Sequence, residues 1–135
     1  MNAPDRKVVS GVFDAIMLSY FCYSFIPGRR RRVEVLNKAR AHLNPNGRIL
    51  LSYSRSANPP ARLPWAQAVG RWRRSDWQVE DGDLLFPHKD EAGLFAYEHV
   101  FAGDEIGEEI AAAGLEVCHL QDLPHQSVAW LSPVS

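Results

Sequence analysis

A chain of 135 residues makes one domain, long enough to bury about two-thirds of its unfolded surface. Hydrophobic content of 46% and charged content of 23% are ordinary globular values, which excludes the disordered and fibrous classes. The net charge is −1, no apolar run approaches the roughly 20 residues of a bilayer span, and the polar start Met1–Lys7 lacks the apolar core of a secretion signal, so a cytoplasmic location is expected.

The near-zero total hides a division along the chain. Residues 1–74 carry 14 Lys/Arg against 3 Asp/Glu, and residues 75–135 carry 1 against 13. Either the first half meets an anionic partner, or the halves face each other across one fold. The near-neutral total favours the second reading.

In chain order, Val12–Ser19 is an apolar run interrupted by Asp14 and reads as a first strand. Pro27-Gly28 leads into a helix over about Arg29–Leu43, with Val33, Leu36, Ala39 and Leu43 at helical spacing. Arg29, Arg30, Arg31 and Arg32 at the start of that helix oppose its dipole, at about 1 kcal/mol in an exposed setting. No aromatic residues alternate with them as a stacking platform needs, so a solvated helix end is expected rather than a nucleic-acid site. Asn44-Pro45-Asn46-Gly47 stops the helix, and Arg48–Ser54 is a second strand. A strand, helix and strand in this order build a parallel crossover, with chemistry expected past the carboxyl ends of the strands.

Ser56–Pro60 is a loop, and a second helix is expected from about Ala61 to Arg74, with Trp65, Val69 and Trp72 forming a core-facing stripe. After the Asp81-Gly82-Asp83 turn, Leu84–Phe86 and Leu94–Phe101 read as short strands, the second alternating Phe95, Tyr97, His99 and Phe101. Asp104 and Glu105 open a third helix to Ala113, with Gly114 as its stop. Leu115–Gln121 and Ser127–Leu131 are joined too closely for a crossover and should pair antiparallel. Cys22 and Cys118 have no paired spacing. Cys118 is expected in the core and Cys22 in the ligand-facing loop. His42, His88, His119 and His125 lack metal-ligand spacing, so no metal site is expected.

Together, Asp14 in an apolar strand, the helix ending in Leu43-Asn44-Pro45-Asn46-Gly47, and the strand Arg48–Ser52 resemble the centre of class I S-adenosylmethionine-dependent methyltransferases. The stretches Phe101–Ile106 and Ala112–Val117 are similar to the end of that family's fold. The resemblance runs over about residues 12–131. It implies an α/β, Rossmann-like methyltransferase fold that is partial, a mixed sheet equivalent to strands 4-5-7-6 of the family order 3-2-1-4-5-7-6. The Gly-rich cofactor loop and the acidic residue after it precede anything present, and none of the nine glycines forms a Gly-x-Gly pair. A single, incomplete domain over residues 1–135 is therefore expected, inactive as a lone chain. The absent strands would leave residues 12–19 as a bare edge able to pair with a second copy or a partner chain.

Methyl transfer from a sulfonium needs alignment, exclusion of water and at times removal of a proton. By the resemblance, Leu18, Ser19 and Tyr20 line the methionine end of S-adenosylmethionine, while Tyr23, Tyr53, Arg55 and Tyr97 face a small-molecule acceptor. Tyr20 and His99 are the candidates for catalysis, and each of these residues has a packing or loop alternative. Asp14 is expected to be a hydrogen-bonded structural residue. No Asn/Asp-Pro-Pro-Tyr/Phe tetrapeptide is present, so methylation of an adenine or glutamine amide is not supported. The rival from another class is a non-catalytic α/β interaction module that pairs through its open edge and basic first half.

Overall fold

The computed structural model describes residues 10–62, 65–68, 76–124 and 126–135. Phe13–Leu18 (β1) leads through a turn into the helix Arg29–Ala41 (α1), which returns the chain to Leu43–Ser54 (β2) beside β1. The two strands run parallel, with Ile16 opposite Ile49 and Met17 opposite Leu50. Asp83–Pro87 (β3) and Phe95–His99 (β4) form a separate antiparallel pair. The helix Glu105–Ala112 (α2) is followed by Leu115–Leu123 (β5) and Gln126–Pro133 (β6). β6 pairs antiparallel with both β2 and β5, and the sheet order is β1-β2-β6-β5. This is the expected 4-5-7-6 arrangement of one parallel pair followed by two antiparallel ones.

Alternation in β2 sets the core. Ile49, Leu51 and Tyr53 point to one face, where Leu131 and Ala129 of β6 join them. Leu36 and Ala39 of α1 and Ile106 and Ile110 of α2 cover that face. Burying each of these larger side chains contributes about 1.5–3 kcal/mol. Both helices therefore lie on the same side of the sheet. A second, smaller cluster of Ala66, Trp77 and Val79 sits under β3 and β4, with Leu85 and Tyr97 against it.

The ends of the elements follow their sequences. Asp104 precedes α2, acids occupy its first turn, and Gly114 at φ 68° ends it, a conformation in which glycine has no Cβ penalty. The Asn44–Gly47 turn is absorbed into β2. Pairing steps from Phe13 opposite Leu43 to Ala15 opposite Arg48, so the residues between bulge outward. A Cβ on Gly47 would lie 3.0 Å from the carbonyl oxygens of Phe13 and Asn44, which explains a glycine there. Asp14 accepts a 2.6 Å hydrogen bond from the Asn44 amide and ties the bulge to β1.

Three expectations are corrected. Cys118 is exposed, because β5 is an edge strand whose pairing is bulged between Val117 and His119 and whose residues 116–123 are all exposed. Of the four arginines at the start of α1, Arg29 and Arg30 are exposed as expected, but Arg32 is fully buried among carboxylates, as described below. In the expected second helix, residues 65–68 are helical and Trp65 is 45% exposed beside Phe95, while Val69 and Trp72 lie outside the described residues. No helix among the described residues is long and apolar enough to cross a membrane.

Candidate functional site

The parallel β1 and β2 end on the same side, and the chain leaves β1 in a tight turn. Tyr20 and Phe21 both have left-handed backbones, φ 52° and 56°, where side-chain-bearing residues cost about 1–2 kcal/mol each. Ser52 of β2 holds this turn from below. Its hydroxyl accepts from the Phe21 N–H at 3.0 Å and donates to the Leu18 carbonyl at 3.3 Å. Ser19 is exposed and Tyr20 is 87% exposed, so the turn presents a hydroxyl and an aromatic ring at the carboxyl end of the sheet. Strain held by a specific clamp at a sheet's carboxyl end is a recurrent mark of a binding site.

Next to the turn, Ser24 is buried and its hydroxyl accepts from the Ser54 N–H at 2.8 Å. The Ser54 hydroxyl donates to the Glu98 carboxylate. Arg55 stands at the rim, 40% exposed, with Nη1 2.7 Å from Asp122 Oδ2. Cys22 is half-buried, and burial pushes its thiol up from the usual range, away from the thiolate a reactive cysteine needs.

Behind this rim lies a connected set of buried charges. Arg32 is fully buried, and its guanidinium is 2.7 Å from Glu109, itself fully buried, and 2.9 Å from Glu80. Burial works against the arginine's charge, but hydrogen bonds and proximity to the two carboxylates outweigh it and hold the group charged. Tyr23 donates to Glu109 at 2.7 Å. Burial, reinforced by that carboxylate, pushes the phenol far above its ordinary range. His99 is fully buried, with Nδ1 2.6 Å from Asp83 Oδ1 and Nε2 2.7 Å from Glu105 Oε1. Burial lowers its affinity for a proton, but the bonds to Asp83 and Glu105 prevail and raise its pKa to about 9. The ring is thus an imidazolium donating from both nitrogens. Tyr97 donates to the same Asp83 oxygen at 2.5 Å.

The predicted site residues therefore separate into two groups. Leu18, Ser19, Tyr20 and Arg55 lie at the carboxyl-end rim. Tyr23, Tyr53 and His99 are buried, and half-buried Tyr97 turns inward to Asp83. Tyr53 packs edge-on against Phe101 at 5.5 Å, and burial raises its phenol. Sequence reasoning placed chemistry around Ser52–Arg55 but missed Asp83, Glu105 and the Arg32–Glu109 pair. The last carried a legible signal. Arg32 shares one helical stripe with Leu36 and Ala39, and Glu109 shares one with Ile106, Ile110 and Ala113. Opposite charges at two core positions imply a buried partnership.

The other arginines at the start of α1 are paired as well: Arg29 with Glu108, and Arg30 and Arg31 with Asp76. They line a cleft of about 410 Å³ with Trp77 and Glu80. The two halves of the chain thus neutralise each other across the fold. Glu80, Asp83 and His99 place three donor atoms within 4.8 Å of one another, a grouping that a metal ion can use. The guanidinium of Arg32 already holds Glu80, and the His99 proton already holds Asp83, so the set is satisfied without one.

No family model matches the chain, and no curated protein matches it in sequence. Solved structures do match it. An S-adenosylmethionine-dependent methyltransferase from Clostridium acetobutylicum is 9% identical with a TM-score of 0.63, over 95% of this chain and 61% of that one. The methyltransferase CcbJ from Streptomyces caelestis is 10% identical with a TM-score of 0.62, over 92% and 62%. The glycopeptide N-methyltransferase MtfA, solved with S-adenosyl-L-methionine, is 14% identical with a TM-score of 0.58, over 95% and 57%. The chain spans about three-fifths of the length of these structures. At such identities the likeness is one of fold: this chain has a partial Rossmann-like methyltransferase fold, built around the β1-β2-β6-β5 sheet.

Proposed function

We propose that the chain is the trailing portion of an S-adenosylmethionine-dependent methyltransferase and contributes the acceptor side of its site. The observation that carries this reading is the clamped, left-handed Tyr20–Phe21 turn at the shared carboxyl end of β1 and β2. One end of the cofactor fits the residues present, because Ser19 and Tyr20 offer an exposed hydroxyl and ring. A Gly-rich turn for the remainder is absent from the sequence. S-adenosylmethionine, when bound, supplies an electrophilic methyl group. Leu18, Ser19 and Tyr20 would hold its methionine end, and Arg55 would meet a small acceptor at the rim. His99, enclosed between two carboxylates, acts as a positioning residue that fixes β4 against α2.

The test is a nuclear magnetic resonance titration of the whole chain with S-adenosylhomocysteine. Weak binding is expected, with shifts confined to residues 18–21 and Ser52 and lost in Tyr20→Ala. No perturbation of that turn at millimolar ligand overturns the reading. So does micromolar affinity of the lone chain, since the main cofactor contacts would then be present.

A second reading is favoured by the edges of the sheet. β5 carries Glu116 and Asp122 and a bulge, which blunt it. β1 is unbulged along Ala15–Leu18 and has Phe13 39% and Met17 64% exposed. An interaction module would use β1 to accept a strand from another chain. Protection of the β1 amides on adding a partner, with no response to S-adenosylhomocysteine, is the outcome that would select it.

A further inference from the structure

Both helices cover one face of the four-stranded sheet, and the opposite face carries an apolar row of its own. The pairing places Met17 opposite Leu50, Leu50 opposite Trp130, and Trp130 opposite His119, one residue from each strand at one level. These side chains alternate with the core residues Ile16, Ile49 and Leu131, so they point away from α1 and α2. Met17 is 64% and Trp130 43% exposed. One level along lie Arg48 of β2 and, where β6 pairs with β5, Ser132 beside Glu116. Neither Arg48 nor Glu116 has an ion-pair partner among the described residues. Arg48 donates to the carbonyls of Asn46 and Gly47, and Glu116 accepts from Ser132 at 3.4 Å.

We propose that this face packs on the same face of a second copy, about a twofold axis running along the strands between β2 and β6. That axis exchanges β2 with β6 and β1 with β5 while keeping each level. Leu50 then lies over the partner's Trp130 and Met17 over the partner's His119, an apolar centre with a Trp anchor. Arg48 lies over the partner's Ser132, within reach of the partner's Glu116 one strand further. The twofold makes this contact twice. The face is thus self-complementary in both apolar surface and charge, as an isologous contact requires. Two sheets at the usual separation of about 10 Å, with strands within about 30° of each other, suit this arrangement. The β1 edge stays open, and the proposal does not depend on methyl transfer.

Light scattering of the full chain across a concentration series tests it. The expected mass is twice that of one chain, and Met17→Lys and Trp130→Lys are each expected to halve it. Met17 is exposed enough that its lysine variant keeps the fold, shown by an unchanged circular dichroism spectrum. Arg48→Glu and Glu116→Arg should each shift the mass toward the monomer, and the double charge exchange should restore the dimer. A monomer at every concentration overturns the proposal. So does a dimer insensitive to Met17→Lys, or a double exchange that fails to recover association.

Discussion

The guanidinium of Arg32 grips the carboxylate of Glu109 with neither side chain open to solvent: Nη2 is 2.7 Å from Oε1, and Nε is 3.1 Å from both oxygens. This pair joins α1 to α2 above the core face of the sheet, with Tyr23 donating to Glu109 and Phe101 lying 5.2 Å under the guanidinium. It is how the basic first half and the acidic second half of the chain meet.

Removing one member leaves the other charged and buried. Arg32→Met is expected to cost about 3–5 kcal/mol, and Arg32→Met with Glu109→Leu much less, because the second change removes the orphaned charge. Urea unfolding of both variants checks this. A single variant as stable as the double would show that the pair is not closed to water.

Stability should depend on pH through His99. Its folded pKa of about 9 lies above the ordinary 6.5, so its contribution is complete below pH 6.5 and is lost as the pH rises through about 9. Asp83 and Glu105 are lowered from 3.8 and 4.5: burial opposes their charge, but the hydrogen bonds from His99 outweigh it. Their contribution is present above those values and fades as the pH falls through the lowered folded pKa values. A thermal midpoint highest between about pH 4.5 and 6.5 and declining toward pH 9 is expected, with the alkaline decline absent in His99→Gln. A midpoint flat from pH 6.5 to 9 in the unmodified chain would contradict it.

Gly82 sits at φ 93°, and a Cβ there would lie 2.4 Å from the backbone oxygen of Val100. Gly82→Ala therefore combines a left-handed backbone with a backbone clash, at a cost of about 2–4 kcal/mol. Denaturant unfolding measures it. A loss under about 0.5 kcal/mol, the scale of a surface change, would mean that the Asp81–Asp83 turn moves freely.

Stability and ligand response should come apart at the β1 turn. Ser52→Ala removes both hydrogen bonds that clamp Phe21 and Leu18 and should cost about 1–2 kcal/mol. Tyr20→Asn keeps a residue that tolerates the left-handed region and should leave stability within about 0.5 kcal/mol. The same Tyr20 variant should nevertheless lose the response to S-adenosylhomocysteine. Retention of that response would remove Tyr20 from the site.

Outside residues 61–74, most of which lie beyond the described residues, the local signals in the chain were enough for the elements and their order. Apolar runs 12–19 and 48–54 flanking a helix of period 3.6 dictate a parallel pair, and the short link before Ser127 dictates an antiparallel one, because no crossover fits between those strands. Asp104 and Gly114 mark the ends of α2 on chemical grounds that need no tertiary context. The division of charge along the sequence likewise foretold that its halves would meet. Which side chains are shut from solvent was decided elsewhere. Tyr23, Tyr53 and His99 look like pocket-lining residues when read one at a time, yet α2 and the β3–β4 pair close over them. Cys118 reads as core until the bulge and the edge position of β5 leave it exposed. Burial depends on what a residue's neighbours do at long range, and periodicity along one strand or helix carries no record of that.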